Sequence, residues 1–555
     1  MMVSATCNTS LTGGNDYWFT KLSDKLCSFN LNLSQIEAVQ AAIHAAECRD
    51  SHCVELVWGP PGTGKTKTVS AMLWAFLHMK CRTLTCAPTN VAVVGVCSRL
   101  LQLIKYTAEK DKLHGLPSSL GDVLLFGNRE RMEIDDELQD VFLDYRVEQL
   151  LDCFAPSTGL KCRISSVVSL LEDCSCMYHM FLENSHKEEA LTFTNFFRKQ
   201  FDAVVTPLEN CIRNLWIHTN CISSRNATEI SSLLNLLEIM HNLLCDEELG
   251  DDELKDVLLP DISKLLLAKN IHGLVSPEHG FSTSKQLSEA RVESLRLLII
   301  LQSSLLLPNT VDSSQIRAYC LRSATLIFCT ASSSSMLHHV EMKPLHIVVI
   351  DEAAQLKECE SVIPLRLNML NTAILVGDEC QLPSTVKSQV YLPKKEVCNT
   401  ALLPEKENKP CTVPDQLLVI YIKVLLFLCF LNYVPQVSKD AGFGVSLFER
   451  LSSVGQRKHL LNMQYRMHPS ISLFPNFRFY KKQILDCPNV EDINYNKSYK
   501  DLKFGAYAFI NVADGREEVD EHGNSKRNLV EVVVVLHLIR RLYICMFLHI
   551  LNFTF

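Results

Sequence analysis

A chain of 555 residues with 47% hydrophobic and 21% charged residues is long enough for several domains and too apolar to be a disordered one. Its formal net charge of -8 offers polyanions no global attraction, so any nucleic-acid contact has to come from a local basic groove. The 23 cysteines contain no CxxC pair, which fits neither a secreted disulfide scaffold nor a zinc cluster and points to a reducing compartment.

The N-terminus, MMVSATCNTSLTGG, lacks a basic region followed by an apolar one, so no secretory signal is expected. The first strong pattern is VELVWGPPGTGKTKT, from Val54 to Thr68: a short apolar strand, a glycine-rich loop and the helical sequence TVSAMLWAFLHM. This is the GxxxxGK[ST] phosphate loop in its required context. The nucleotide-binding set it predicts is Gly59, Pro60, Pro61, Gly62, Thr63, Gly64, Lys65, Thr66 and Lys67. Gly62 and Gly64 let backbone N–H groups face a phosphate, and the helix starting near Lys65 adds the positive end of its dipole. Lys65 would reach the β- and γ-phosphates of ATP, and the Thr66 hydroxyl would ligate Mg²⁺.

Next come the strand pattern TLTCAP, a further strand DVLLFGN (Asp122 to Asn128), and a stretch from Asp136 to about Arg317 with helical periodicity. SLLNLLEIMHNLL and ESLRLLIILQSSLLL carry that periodicity, with breaks expected at Pro207, Pro260 and Pro277. SATLIFCTASSS returns to a buried strand. LHIVVIDEAAQ, Leu345 to Gln355, reads as a buried parallel strand ending in Asp351 and Glu352. Asp351 would hold Mg²⁺, and Glu352 would polarise the water that attacks the γ-phosphate. The strand TAILV then leads into Gly377-Asp378-Glu379-Cys380-Gln381-Leu382-Pro383.

Four of these stretches, with the two sites above, fall in an order that resembles superfamily 1B helicases of the senataxin and nonsense-mediated-decay kind: Leu31-Asn32-Leu33-Ser34-Gln35, Ala87-Pro88-Thr89-Asn90, Gly377 to Pro383, and Gln464-Tyr465-Arg466-Met467-His468-Pro469. The resemblance implies an α/β fold: a P-loop RecA-like parallel sheet with a helical insertion, followed by an incomplete second RecA-like lobe. It implies that Gln35 reads the adenine, that Pro88, Thr89 and Asn90 touch the nucleic-acid backbone, and that Gln381 senses the γ-phosphate. Arg466 would be an arginine finger, a role that also follows from the cation a transferred phosphate requires. Tyr465 would stack near the adenine, with a buried aromatic as the alternative; Thr89 and Asn90 could equally cap a helix.

The expected organisation is a first lobe over 1–130 and 319–389, a helical insertion over 131–318, an atypical insertion over 390–436, and a partial second lobe over 437–555. Val390 to Gln436 contains the apolar run LLVIYIKVLLFLCFLNYV, and joining Gln389 to Val437 restores a family-like segment. A retained intron or gene-model origin is expected for it; an ordered apolar insert and a membrane span are the alternatives. HGNSKRNLVEVVVVLHLIRRLY resembles a second-lobe helix, although Val532 to Val535 favour a strand by propensity. The later second-lobe motifs are not found after Tyr543.

The function implied is an ATP-dependent RNA or DNA helicase, impaired in this form; a nucleotide- and nucleic-acid-binding module without productive hydrolysis is the alternative. The cofactors are ATP and Mg²⁺ and the partner is single-stranded RNA or DNA. No stable membrane association is expected, and the location is nucleus or cytoplasm.

Overall fold

The computed structural model describes residues 25–26, 28–48, 52–110, 120–184, 191–245, 250–258, 283–382, 444–491, 509–519 and 526–551. The apolar run from Leu417 to Val434, with the rest of 390–436, lies outside the described residues. So do Pro260 and Pro277. Among the described residues no helix is long and apolar enough to cross a membrane.

Runs of β-branched and aliphatic residues become the inner strands of a sheet, and a short half-buried strand closes one edge. In chain order the strands are β1 (Cys53–Trp58), β2 (Thr83–Ala87), β3 (Val123–Leu125), β4 (Leu326–Thr330), β5 (Ile347–Ile350), β6 (Thr372–Gly377) and the half-buried β7 (Lys458–Leu460). They form one sheet in the order β3-β4-β2-β5-β6-β1-β7, and its described pairings are all parallel. Successive side chains of a strand point to opposite faces, and two separate cores result. Leu56, Cys86, Ile327, Val348 and Leu375 enter one; Val57, Phe328, Val349, Ile374 and Val376 enter the other.

The second of these cores is closed by three helices: α1 (Leu33–Glu47), α2 (Lys65–His78) and α3 (Asn90–Lys110). The first is closed by the helical segment between β3 and β4. It comprises α4 (Leu143–Phe154), α5 (Leu160–Asn184), α6 (Phe193–His218), α7 (Ser224–Cys245), α8 (Asp251–Leu258), α9 (Thr283–Ser304) and α10 (Ser313–Ser323). Phe154, Phe197, Leu237 and Leu298 share one contiguous core with Leu124 and Ile327 of the sheet. The helical segment is therefore built onto the sheet.

Two expectations change. Pro207 does not break a helix but lies inside α6. Burial of Val205, Leu208, Cys211 and Ile212 on either side of it outweighs the cost of about 3 kcal/mol that an interior proline imposes. The boundary expected at 437 also gives way, because β7 pairs with β1 through Leu56↔Lys458, Val57↔His459 and Trp58↔Leu460. The chain through Leu460 thus completes the first sheet.

Beyond it, β8 (Met463–Gln464) pairs with β9 (Leu485–Asp486), α12 (Pro469–Phe479) lies between them, and α11 (Leu447–Ser453) precedes β7. Leu529–Leu551, hereafter α13, is helical through Val532 to Val535, as the resemblance implied and propensity did not.

The helical segment is pinned to the sheet edge by Arg146 of α4, which is fully buried. Its guanidinium donates to the carbonyls of Leu120 (3.0 Å), Gly121 (3.3 Å), Val123 (2.7 Å) and Asp140 (3.0 Å). Arg146→Met keeps the bulk and strips these carbonyls of their donor. It is expected to lower stability by about 3 kcal/mol, read as a reduced urea midpoint with an unchanged slope.

Candidate active site

In a parallel sheet the loops at the carboxyl ends of the strands form the binding edge, and the motifs after β1, β2, β5 and β6 leave the sheet there. The loop after β1 turns through Gly62 (φ +78°) and Gly64 (φ +83°), backbone conformations that side chains disfavour. Thr63 closes the turn by donating its hydroxyl to the Pro60 carbonyl at 2.7 Å. Lys65 Nζ donates to the Gly59 carbonyl at 3.0 Å and lies 3.5 Å from Glu352 Oε1. Thr66 is exposed in the first turn of α2, whereas Lys67 is engaged elsewhere, donating to the Asn30 carbonyl at 2.6 Å.

Asp351, at the end of β5, is 3% exposed. Burial and the neighbouring charge of Glu352 push its carboxyl up to about 7, against the opposing pull of Lys65. Its Oδ1 accepts the Glu352 N–H at 3.0 Å. Glu352 adopts a left-handed backbone (φ +51°), and its carboxylate is held by Gln355 Nε2 at 3.1 Å on the side away from Lys65. A buried carboxylate with so little donor support suits a hard cation. The Thr66 hydroxyl would offer a second oxygen donor, and oxygen donors are what Mg²⁺ prefers.

Asp378, just past β6, has the opposite environment. Its Oδ1 accepts the Trp58 indole N–H at 2.8 Å and the Cys380 N–H at 3.1 Å. Its Oδ2 accepts Gln381 Nε2 at 2.6 Å and the Tyr480 hydroxyl at 2.8 Å. Gln381 Nε2 also lies 3.5 Å from the Gly59 carbonyl, the atom to which Lys65 donates. Next to Asp378, Glu379 pairs with Lys458 of β7, whose ammonium sits 4.1 Å from the Trp58 ring centroid.

Residues after β7 reach this loop directly. The Tyr465 N–H donates to the Gly62 carbonyl at 2.9 Å, and a Cβ added at Gly62 would lie 2.8 Å from Arg466 Cβ. Gln464, fully buried, accepts the N–H groups of Arg466 (2.9 Å) and Met467 (2.7 Å) and donates to Asp486 Oδ1, so its amide sets the turn that carries the arginine. The Tyr465 hydroxyl accepts Asn32 Nδ2 at 2.8 Å. Gln35 is 1% exposed: its Oε1 accepts the Asn32 N–H at 3.0 Å, completing the cap of α1, and its Nε2 donates to the Thr63 carbonyl at 3.0 Å. Gln35 thereby braces the phosphate loop as well as a helix start.

Pro88, Thr89 and Asn90 emerge from β2 at the same edge but form a separate patch. Thr89 Oγ1 accepts the Ala92 N–H at 3.3 Å as a helix cap, and Asn90 Nδ2 donates to the Arg131 carbonyl at 3.3 Å. Thr89 and Val91 remain exposed. The structure thus gathers Gln35, the phosphate loop, Asp351, Glu352, Gln381, Tyr465 and Arg466 at one place. Asp378 and Gln464, which lie inside the quoted motifs but were assigned no role, join them, as do Trp58 and Tyr480, which no motif role singled out. A buried aspartate after a strand end was the available signal for Asp378.

A family model described as an AAA domain matches residues 30–389, and a second of the same description matches 443–548. Over 95% of its length the chain is 26% identical to the probable helicase MAGATAMA 3 of Arabidopsis thaliana, covering 48% of that protein. It is 25% identical over 93% of its length to the helicase SEN1 of Saccharomyces cerevisiae, covering 18% of it. It is 23% identical over 94% of its length to the probable helicase senataxin of Homo sapiens, covering 15% of it. The chain therefore spans half or less of these relatives. With the two AAA-domain matches in sequence and the phosphate loop, acidic pair and arginine turn assembled on one parallel sheet, the chain belongs to the superfamily 1B helicases of the senataxin and nonsense-mediated-decay kind.

Proposed function

We propose that this chain hydrolyses ATP and uses the cycle to move along single-stranded nucleic acid, with RNA the first candidate and nucleus or cytoplasm the site of action. One arrangement supports this: Lys65 and Gln381 converge on the Gly59 carbonyl, with Glu352 3.5 Å from the lysine and the Arg466 turn bonded to the same loop. A lysine, a carboxylate, an amide and an arginine from four separate segments then surround one phosphate position.

In this scheme the N–H groups around Gly62 and Gly64 bind the phosphates, and Lys65 draws charge from the γ-phosphate. Glu352 accepts a proton from the attacking water, its carboxylate oriented by Gln355. Gln381 presents an N–H to a γ-phosphate oxygen, and Arg466 offsets charge developing on the transferred group. Thr66 and Asp351 would hold Mg²⁺, which when bound neutralises charge on the β- and γ-phosphate oxygens. Gln35 has one further amide N–H for the adenine edge, and Tyr465 flanks that position. Pro88, Thr89 and Asn90 would carry the nucleic-acid backbone.

A nucleotide-loaded binding module is the second reading, and turnover separates it from the first. Single-stranded RNA is expected to raise ATP turnover, and Lys65→Ala is expected to abolish basal and stimulated turnover together. Intact nucleotide binding with no turnover in the unaltered chain would favour the binding module. Glu352→Gln removes the proton acceptor but keeps the shape, so hydrolysis is expected to fall by about 10² to 10⁴ with nucleotide affinity nearly unchanged, measured by phosphate release and by titration. Arg466→Ala is expected to reduce turnover by about 10³ or more, again with little loss of affinity.

A further inference from the structure

Asp378 joins three parts of the molecule that lie far apart in sequence. Its two oxygens take four donors: Trp58 at the end of β1, the Cys380 N–H and Gln381 in its own loop, and Tyr480 at the carboxyl end of α12, beyond the first sheet. The carboxylate is 2% exposed and Tyr480 4% exposed, so water does not compete for these positions. Because a carboxylate only accepts hydrogen bonds, it fixes which end of the Gln381 amide faces it. One N–H of Nε2 goes to Asp378, and the other is aimed near the Gly59 carbonyl at 3.5 Å, the limit of a hydrogen bond. That second N–H is the group a γ-phosphate oxygen would take.

Tyr480 shares Oδ2 with Gln381, so the two donors compete for, and jointly define, one set of lone pairs. Burial and Asp378 hold the phenol above its ordinary pKa, which keeps it a donor. Its ring lies 5.8 Å from that of Trp58, and the Trp58 ring is backed by the Lys458–Glu379 pair. A shift of α12 that withdrew the Tyr480 hydroxyl would free Oδ2 and let the Gln381 amide rotate.

We propose that Tyr480, with Trp58 as its partner on the first sheet, is a positioning residue that acts through Asp378 to aim Gln381, so that docking of α12 is registered as a preference for nucleoside triphosphate over diphosphate. This deepens the ATP-hydrolysis reading above and rests on it for the identity of the nucleotide. Neither Tyr480 nor Trp58 touches the phosphates.

The test uses the full chain with Mg²⁺ and two fluorescent probes, a non-hydrolysable ATP analogue and ADP, and reads the ratio of their dissociation constants. Tyr480→Phe keeps the ring and removes the donor. It is expected to lower the preference for the triphosphate by about tenfold, the scale of a hydrogen bond to a charged group. Gln381→Ala is expected to lower it to a similar extent, and the double variant to lower it no further, because both act through one amide. Trp58→Phe, which keeps a ring beneath Lys458, is expected to give a smaller loss in the same direction.

A purely structural role for Tyr480 would weaken both nucleotides equally and leave the ratio alone, and that result overturns the proposal. So do effects of Tyr480→Phe and Gln381→Ala that multiply in the double variant. The two readings fail separately. Absent turnover with the ratios behaving as expected sinks the hydrolysis reading and supports the positioning role; absent nucleotide binding overturns both.

Discussion

The backbone bond from the Tyr465 N–H to the Gly62 carbonyl is the constraint on which the site depends. It ties the turn carrying Arg466 to the phosphate loop at Gly62, and it requires a residue without a side chain there, where a Cβ would strike Arg466. Glycine there serves two ends: it permits the positive φ, and it lets a second segment approach the loop. Gln464 supports the approach from behind by accepting two consecutive N–H groups of the turn. The backbone that carries Arg466 is thus held against the phosphate loop by main-chain geometry.

Two aspartates at neighbouring strand ends show how environment divides labour between identical side chains. Asp351, after β5, is buried beside a second carboxylate and accepts the N–H of Glu352, so the pull of burial and like charge is little offset. Such a group gains most from a divalent cation. Asp378, after β6, is equally buried but takes four donors drawn from three segments. Its charge is spread over those bonds, which suits it to orient other groups. Two like carboxylates are thereby held in opposite electrostatic settings.

The parts readable from sequence were those whose physics is local. GxxxxGK[ST] spans eight residues and carries its own strand and helix, and β4 to β6 are largely apolar runs of the kind that two-sided burial explains. β7 escaped because Lys458 and His459 are polar and half-buried, as an edge strand allows, and nothing in three residues marks them as sheet. Pro207 was misjudged because the packing that tolerates it comes from helices remote in sequence. The contact of Trp58 with Asp378 spans 320 positions and that of Tyr480 with Asp378 spans 102, so no window of sequence contains either. Arg146 was not singled out either, because its carbonyl partners come from loop and strand segments that only the fold brings together.

The strand order carries a consequence for how the chain acquires its shape as it is made. β1, which bears the phosphate loop, has β6 and β7 as neighbours, and β2 has β4 and β5. None of these four has left the ribosome when the loop itself emerges, because β4 begins at Leu326 and β7 at Lys458. The strand that bears the phosphate loop therefore waits with both edges unpaired until β6 is made some 310 residues later, and with one edge unpaired until β7, some 400 residues on, a span of about 20 to 80 seconds at ordinary rates of translation. During that interval α1 to α3 can form and cover one side, while the other must be shielded by the helices from α4 to α10 as they appear. The long helical segment, besides closing a core, acts as the sheet's cover during its own assembly, and a chain deprived of it would expose that apolar face of the sheet.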